Sequence, residues 1–201
     1  PPLYKMKRGN SEVYLKDEEA LQKHLLESCV EDCALHYGKG KNISGEELRK
    51  VVEQAGQAME AMQHIARRMP LVLIEAATLA GVFDGKEGSA EKAAAWQKKA
   101  LAVCGEQAGW ECAFDSGVFK IRRMMRGVEE IYLLEEKWLT SKEGHDLAEM
   151  AGYFAEYFSG ALKIIRKGSE SEVVTPAALF TNMMDAARKG STINRFKGLG
   201  E

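Results

Sequence analysis

Trp110-Glu-Cys-Ala-Phe114, Val118-Phe-Lys-Ile-Arg-Arg-Met-Met125 and Val128-Glu-Glu-Ile-Tyr-Leu-Leu134 follow one another with only Asp115-Ser-Gly117 and Arg126-Gly127 between them. Each run carries the aromatic and β-branched residues that suit a half-buried pleated surface. Each separator has the short Gly-bearing chemistry of a tight hairpin turn. Strands joined by such turns pair antiparallel, so the stretch predicts a three-stranded meander.

Upstream, Leu3-Tyr-Lys-Met-Lys7 alternates apolar and polar residues, Arg8-Gly-Asn10 turns the chain, and Glu12-Val-Tyr-Leu15 resumes it as a second strand. Pro1 and Pro2 suit an entry or edge position, because neither donates a ladder hydrogen bond. A short helix is expected over Asp17–Leu26, a strand at Ala34–Tyr37 and a polar loop over Gly38–Asn42. Ser44 and Glu47 have capping-box spacing. Leu48, Val51, Val52, Ala55, Met59, Met62 and Ile65 then recur at helical period until Pro70. Leu71–Ala80 reads as a short buried helix closed by Gly81, and Ala90 to about Gln107 as another.

Downstream, Thr140 with Glu143 is a second capping-box candidate for a helix to about Ser159. Leu162–Arg166 fits a strand. Thr175-Pro176 supplies an N-cap and first-turn proline for a helix to Lys189, with Gly190 beyond it. Grouped helices and grouped strands, without strict βαβ alternation, predict an α+β fold: an antiparallel sheet (meander plus hairpin) packed with several helices.

The chain has 201 residues, 45% hydrophobic and 29% charged, with formal net charge −2. That length can bury a sizeable core. The charge leaves no global basic footprint, so any nucleic-acid contact must come from a local patch. No apolar run reaches the length of a membrane span. The four cysteines, Cys29, Cys33, Cys104 and Cys112, are too few for a disulfide scaffold of this size.

The opening Pro1-Pro-Leu-Tyr-Lys5 and the closing Ile193-Asn-Arg-Phe-Lys-Gly-Leu-Gly-Glu201, in that order, resemble two landmarks of the B subunits of bacterial type IIA topoisomerases, most closely the B subunit of DNA gyrase. Tyr14-Leu-Lys-Asp-Glu-Glu-Ala20 and Arg67-Arg68-x-Pro70 are similar to stretches in gyrase B subunits with long inserts. The resemblance implies an internal segment of a longer chain. Residues 1–17 would be an opening hairpin of the Toprim region, 18–174 a lineage-specific insert, and 175–201 the return helix and closing motif.

It further implies a cytoplasmic enzyme that passes one duplex through another using ATP and Mg²⁺. Its partners would be duplex DNA, the A subunit of gyrase and the rest of the B subunit, in an A2B2 assembly. The family's acidic metal motifs have no counterpart here: there is no Glu-Gly-Asp-Ser and no Asp-x-Asp. No catalytic residue, metal ligand or cofactor is therefore expected within the segment. In the family the closing motif lies beside the DNA gate, which by that match places Arg195, Lys197 and Glu201 near DNA or the catalytic centre.

Lys120, Arg122, Arg123 and Arg126 are the sharpest electrostatic feature. Strand alternation puts Lys120 and Arg122 on one face and Arg123 on the other. One reading, which leans on the family context, is a phosphate-binding strip on the even-numbered face and the turn. The alternative is a solvated edge strand whose charges deter aggregation, partly paired with Glu129 and Glu130. Arg67 and Arg68 suit a helix C-terminus better than DNA. Cys29-x3-Cys33 with His36 falls short of the four ligands that structural zinc takes, and buried free thiols fit better.

Three readings of function remain: a DNA-contacting arm, a buttress or docking element for the gyrase assembly, and, from another class, a free-standing small α+β enzyme of unknown substrate.

Overall fold

The structure is a computed structural model that describes residues 2–85 and 89–196. Lys197 and the rest of the closing Lys-Gly-Leu-Gly-Glu lie outside the described residues, as does Pro1. The chain divides into two compact units. The first holds residues up to Ala55, Leu162–Val173 and residues from Ala178 onward; the second holds Gly56–Ala161 and Val174–Ala177.

In the first unit the opening hairpin forms as its alternation predicts, from β1 (Tyr4–Arg8) and β2 (Ser11–Leu15). A strand that the sequence pattern does not predict, β10 (Thr192–Arg195), pairs antiparallel with the other edge of β1, giving the order β10-β1-β2. Met6 stands opposite Val13 and Ile193 and is buried. Helix α1 (Glu18–Ser28) starts where Asp17 accepts the Ala20 N–H at 2.8 Å, with Glu18 and Glu19 at the positive end of its dipole. It buries Leu21 and Leu25.

A second sheet has the order β4-β3-β8-β9: β3 (Cys33–Tyr37), β4 (Lys41–Ser44), β8 (Leu162–Arg166) and β9 (Ser169–Val173). The segment read as a polar loop is a turn over 38–40, where Gly38 and Gly40 take positive φ, and the chain is back in the sheet by Lys41. Ser44 therefore closes a strand, and α2 (Gly45–Ile65) begins one residue later. The unit's buried side chains include Leu35, Ile43 and Ile164 from the sheet and Leu48, Val51 and Val52 from α2. Helix α6 (Pro176–Lys189) adds Leu179 and Met183.

The second unit contains the meander, in the order β5-β6-β7: β5 (Glu111–Asp115), β6 (Val118–Met125) and β7 (Val128–Glu135). Both loops have two residues, Ser116-Gly117 and Arg126-Gly127, and all four residues have positive φ. That is the type I′ geometry whose twist matches antiparallel strands. Trp110 lies just before β5 and is buried.

Helix α3 (Leu71–Leu79) is buried on nearly every side, including Glu75 and Thr78. From α4 (Ser89–Cys104), Trp96 is fully buried. Its indole N–H donates to the Leu73 carbonyl at 2.9 Å, and its ring meets Phe119 edge-on at 6.1 Å. The helix stops short of Gln107 because Gly105 takes φ +93°. Helix α5 (Lys142–Phe154) starts at Ser141, which accepts the Gly144 N–H, so the cap is one residue beyond Thr140. Thr140 instead donates to the Lys137 carbonyl.

Candidate interaction surface

The meander separates the predicted basic residues as strand alternation requires. Glu111, Arg122 and Ile131 stand side by side across β5, β6 and β7, with Ala113, Lys120 and Leu133 in the next row and Met124 beside Glu129. This face is exposed. Arg122 is bracketed on it, 3.0 Å from Glu129 and 3.3 Å from Glu111. The two carboxylates raise its pKa, the hydrogen bond to Glu129 first. Lys120 and Arg126 have no ion pair among the described residues, and Arg126 sits at the exposed tip of the β6–β7 hairpin.

Arg123 points the other way. Its guanidinium lies over the Trp110 ring at 4.4 Å and reaches Glu130 at 3.3 Å, with only 19% of the side chain exposed. Its Nε is buried without a partner. Trp110 in turn packs against Tyr132 at 6.0 Å. Arg195 is in the first unit, exposed on β10 opposite Tyr4. Tyr4 donates its hydroxyl to Glu18, and that bond raises the tyrosine pKa and lowers the carboxylate's.

Sequence reasoning missed the apolar character of this region. Of nine large apolar side chains exposed among the described residues, five lie on the β6–β7 hairpin: Met124, Met125, Val128, Ile131 and Leu133. Val128 reaches 65% exposure. The signal was present in Ile131-Tyr-Leu-Leu134, since four apolar residues in a row cannot all face one side of a strand.

A second omission is Glu75, 3% exposed within α3. It accepts the Ala177 N–H at 2.9 Å and a hydrogen bond from Thr175. Thr175-Pro176 is thus a helix start, but a carboxylate from a distant helix takes the first-turn N–H. Burial pushes Glu75 up to about 7 against those two bonds.

All four cysteines are free. Cys33 is buried on β3, whereas His36 stands on the exposed face of the same strand, so they do not converge. Cys29 is pushed up to about 11 by burial and by the neighbouring Cys33, and Cys112 to about 12 by burial. Among the described residues no three His, Cys, Asp or Glu side chains form a group that could hold a metal ion. No helix there is long and apolar enough to cross a membrane.

Residues 2–26, the β1–β2 hairpin with most of α1, match the family model described as the GyrB hook. The whole chain is similar to the DNA gyrase B subunit of Caulobacter vibrioides, 34% identical over 201 residues, and to that of Rickettsia bellii, 28% over 206 residues. It is also similar to that of Campylobacter jejuni, 26% identical over 206 residues. It covers 25%, 26% and 24% of those proteins, respectively, and so spans about a quarter of the length of the curated relatives it matches. The family model and these relatives together support a segment of a DNA gyrase B subunit.

Proposed function

We propose that this segment serves a DNA gyrase, an ATP-dependent type IIA topoisomerase that supercoils DNA by double-strand passage, as a non-catalytic docking and buttressing element. The parent enzyme's Mg²⁺ and ATP chemistry would lie outside these residues. Residues 18–174 would be the insert, carried between a Toprim hairpin (1–17) and a return helix with the closing motif (175–201). The partners would be the A subunit of gyrase and the rest of the B subunit, in a cytoplasmic A2B2 assembly on duplex DNA.

The observation that carries the docking reading is the exposed apolar hairpin. Met124, Val128, Ile131 and Leu133 are each more than two-fifths exposed on a sheet whose edge strand β7 has one open side. Protein contacts cover such patches, whereas phosphate contacts need free cations. Arg122 and Arg123 are already held by Glu111, Glu129 and Glu130. The DNA-contacting reading keeps support from Lys120 and Arg126, and from Arg195 and Lys197 through the closing motif.

The test uses the full-length B subunit. Ile131→Ser with Leu133→Ser should weaken its assembly with the A subunit, with reduced supercoiling at unchanged stability. Lys120→Ala with Arg126→Ala should leave both intact. The reverse pattern, with salt-sensitive loss of duplex binding in the lysine–arginine variant, would replace docking by a DNA-contacting arm.

A further inference from the structure

The outer face of the β10-β1-β2 sheet carries a second surface, independent of the meander. Alternation puts Tyr4 and Met6 inward and leaves Lys5 and Lys7 outward, next to Tyr14, Glu12, Asn194 and Thr192 on the flanking strands. Phe196 donates its backbone N–H to the Leu3 carbonyl at 2.8 Å, which extends the same face past the end of β10.

Tyr14 comes from β2 and Phe196 from the position just after β10, and their rings meet at 6.3 Å with planes 11° apart. They remain 57% and 42% exposed. The Lys5 ammonium lies 5.8 Å from the Tyr14 ring centre and 3.5 Å from Glu12. Lys7 is exposed and has no ion pair among the described residues. The face has two lysines against one glutamate.

We propose that this face is a stacking platform for unpaired nucleobases, binding single-stranded nucleic acid with its phosphates beside Lys5 and Lys7. Exposed near-parallel rings offer π-faces to bases, and ammonium groups along the same strand offer charge to the backbone; together these make up a sequence-tolerant single-strand site. A duplex keeps its bases stacked and presents only phosphates, so it gains nothing from the rings. An apolar peptide fits the face poorly, because Lys5, Lys7, Glu12, Asn194 and Thr192 occupy most of it. The excess of cations also selects an anionic chain. The proposal stands apart from the docking reading, since its residues lie on a different sheet.

Fluorescence anisotropy of the 201-residue chain with a labelled oligothymidine, and with a duplex of equal length, tests it. The single strand should bind at least about tenfold tighter than the duplex. Tyr14→Ala and Phe196→Ala should each weaken it by about 5- to 100-fold, with Tyr14→Phe retaining affinity. Lys7→Ala should reduce the slope of log affinity against log salt by about 0.7. Equal affinity for duplex and single strand overturns the proposal, as does binding unchanged by Tyr14→Ala. Displacement by polyglutamate as effective as by unlabelled oligothymidine would also overturn it, because it would reduce the site to charge alone. None of these outcomes depends on the meander residues that the docking test alters.

Discussion

The Arg123 guanidinium lies 4.4 Å from the centre of the Trp110 ring, while its neighbour Arg122 projects from the other face of β6 to Glu111 and Glu129. Adjacent, chemically identical residues thus have different physical roles. Arg123 covers a buried indole and lies in a half-buried ion pair with Glu130, where a cation–π contact is strengthened by partial desolvation. Arg123→Ala should therefore destabilise the chain by about 1–2 kcal/mol. Arg122→Ala should leave the urea midpoint unchanged, since exposed pairs contribute little. Parallel urea titrations followed by tryptophan fluorescence check both. Equal midpoints for the two variants would show that the Trp110 contact is not stabilising.

Glu75 makes a prediction about pH. Its folded-state value is raised to about 7 from an ordinary 4.5, chiefly by burial. The folded state then holds this proton more tightly than the unfolded state does. The associated stability is fully present below about 4.5 and is lost as pH rises through about 7, a change of about 3 kcal/mol. Glu75→Gln keeps an acceptor for the Ala177 N–H and cannot ionise. The wild-type chain should lose stability relative to this variant between about pH 5 and 8, measured by denaturation at each pH. A constant difference across that range would contradict the assignment.

Much of this architecture was legible in the chain because local chemistry and tertiary demand agreed. Asp115-Ser-Gly117 and Arg126-Gly127 predict tight turns, and the loops that form there are Ser116-Gly117 and Arg126-Gly127, all four residues at positive φ. The hairpin, the α+β class and the proline start of α6 were legible for the same reason. Strand β9, Ser169-Glu-Ser-Glu-Val173, was not, because four of its five residues are polar and it is an edge strand held by pairing with β8. Nor was β10, which needs the distant β1 as its partner. At the candidate site, alternation correctly separated Arg122 from Arg123. Nothing local revealed that Trp110 would lie under Arg123, or that Glu75 would meet Ala177 across 102 residues of sequence.

The start of α5 lies one residue beyond the Thr140 cap that the sequence pattern predicts. Thr140 and Ser141 are both good capping types, but only the Ser141 hydroxyl accepts the Gly144 N–H, at 3.0 Å. Ser141→Ala should lower stability by about 1 kcal/mol. Thr140→Ala should have a smaller effect, because its exposed hydroxyl only donates to the Lys137 carbonyl. A thermal-melt comparison suffices, and a larger loss for Thr140→Ala would return the cap to that residue.

Gly144 provides the sharpest test of packing, because helix propensity and tertiary structure there predict opposite signs. In a free helix, replacing glycine by alanine stabilises by up to about 1 kcal/mol. Here a Cβ would lie 2.2 Å from the Trp138 carbonyl oxygen and 3.0 Å from that of Leu139. Both are backbone atoms of the turn that leads into α5, and no rotamer change can move them away. Relief would have to come from shifting that turn, which also holds the Ser141 cap and the buried Leu139. Gly144→Ala should accordingly destabilise by about 1–3 kcal/mol, the range for overpacking a closed site. Gly152→Ala, in the same helix and with nothing within 4 Å of its Cβ, should be neutral or stabilising. Chemical denaturation of the two variants decides the matter. A stabilised Gly144→Ala would mean that the approach of the 138–139 backbone to α5 is looser than the structure shows.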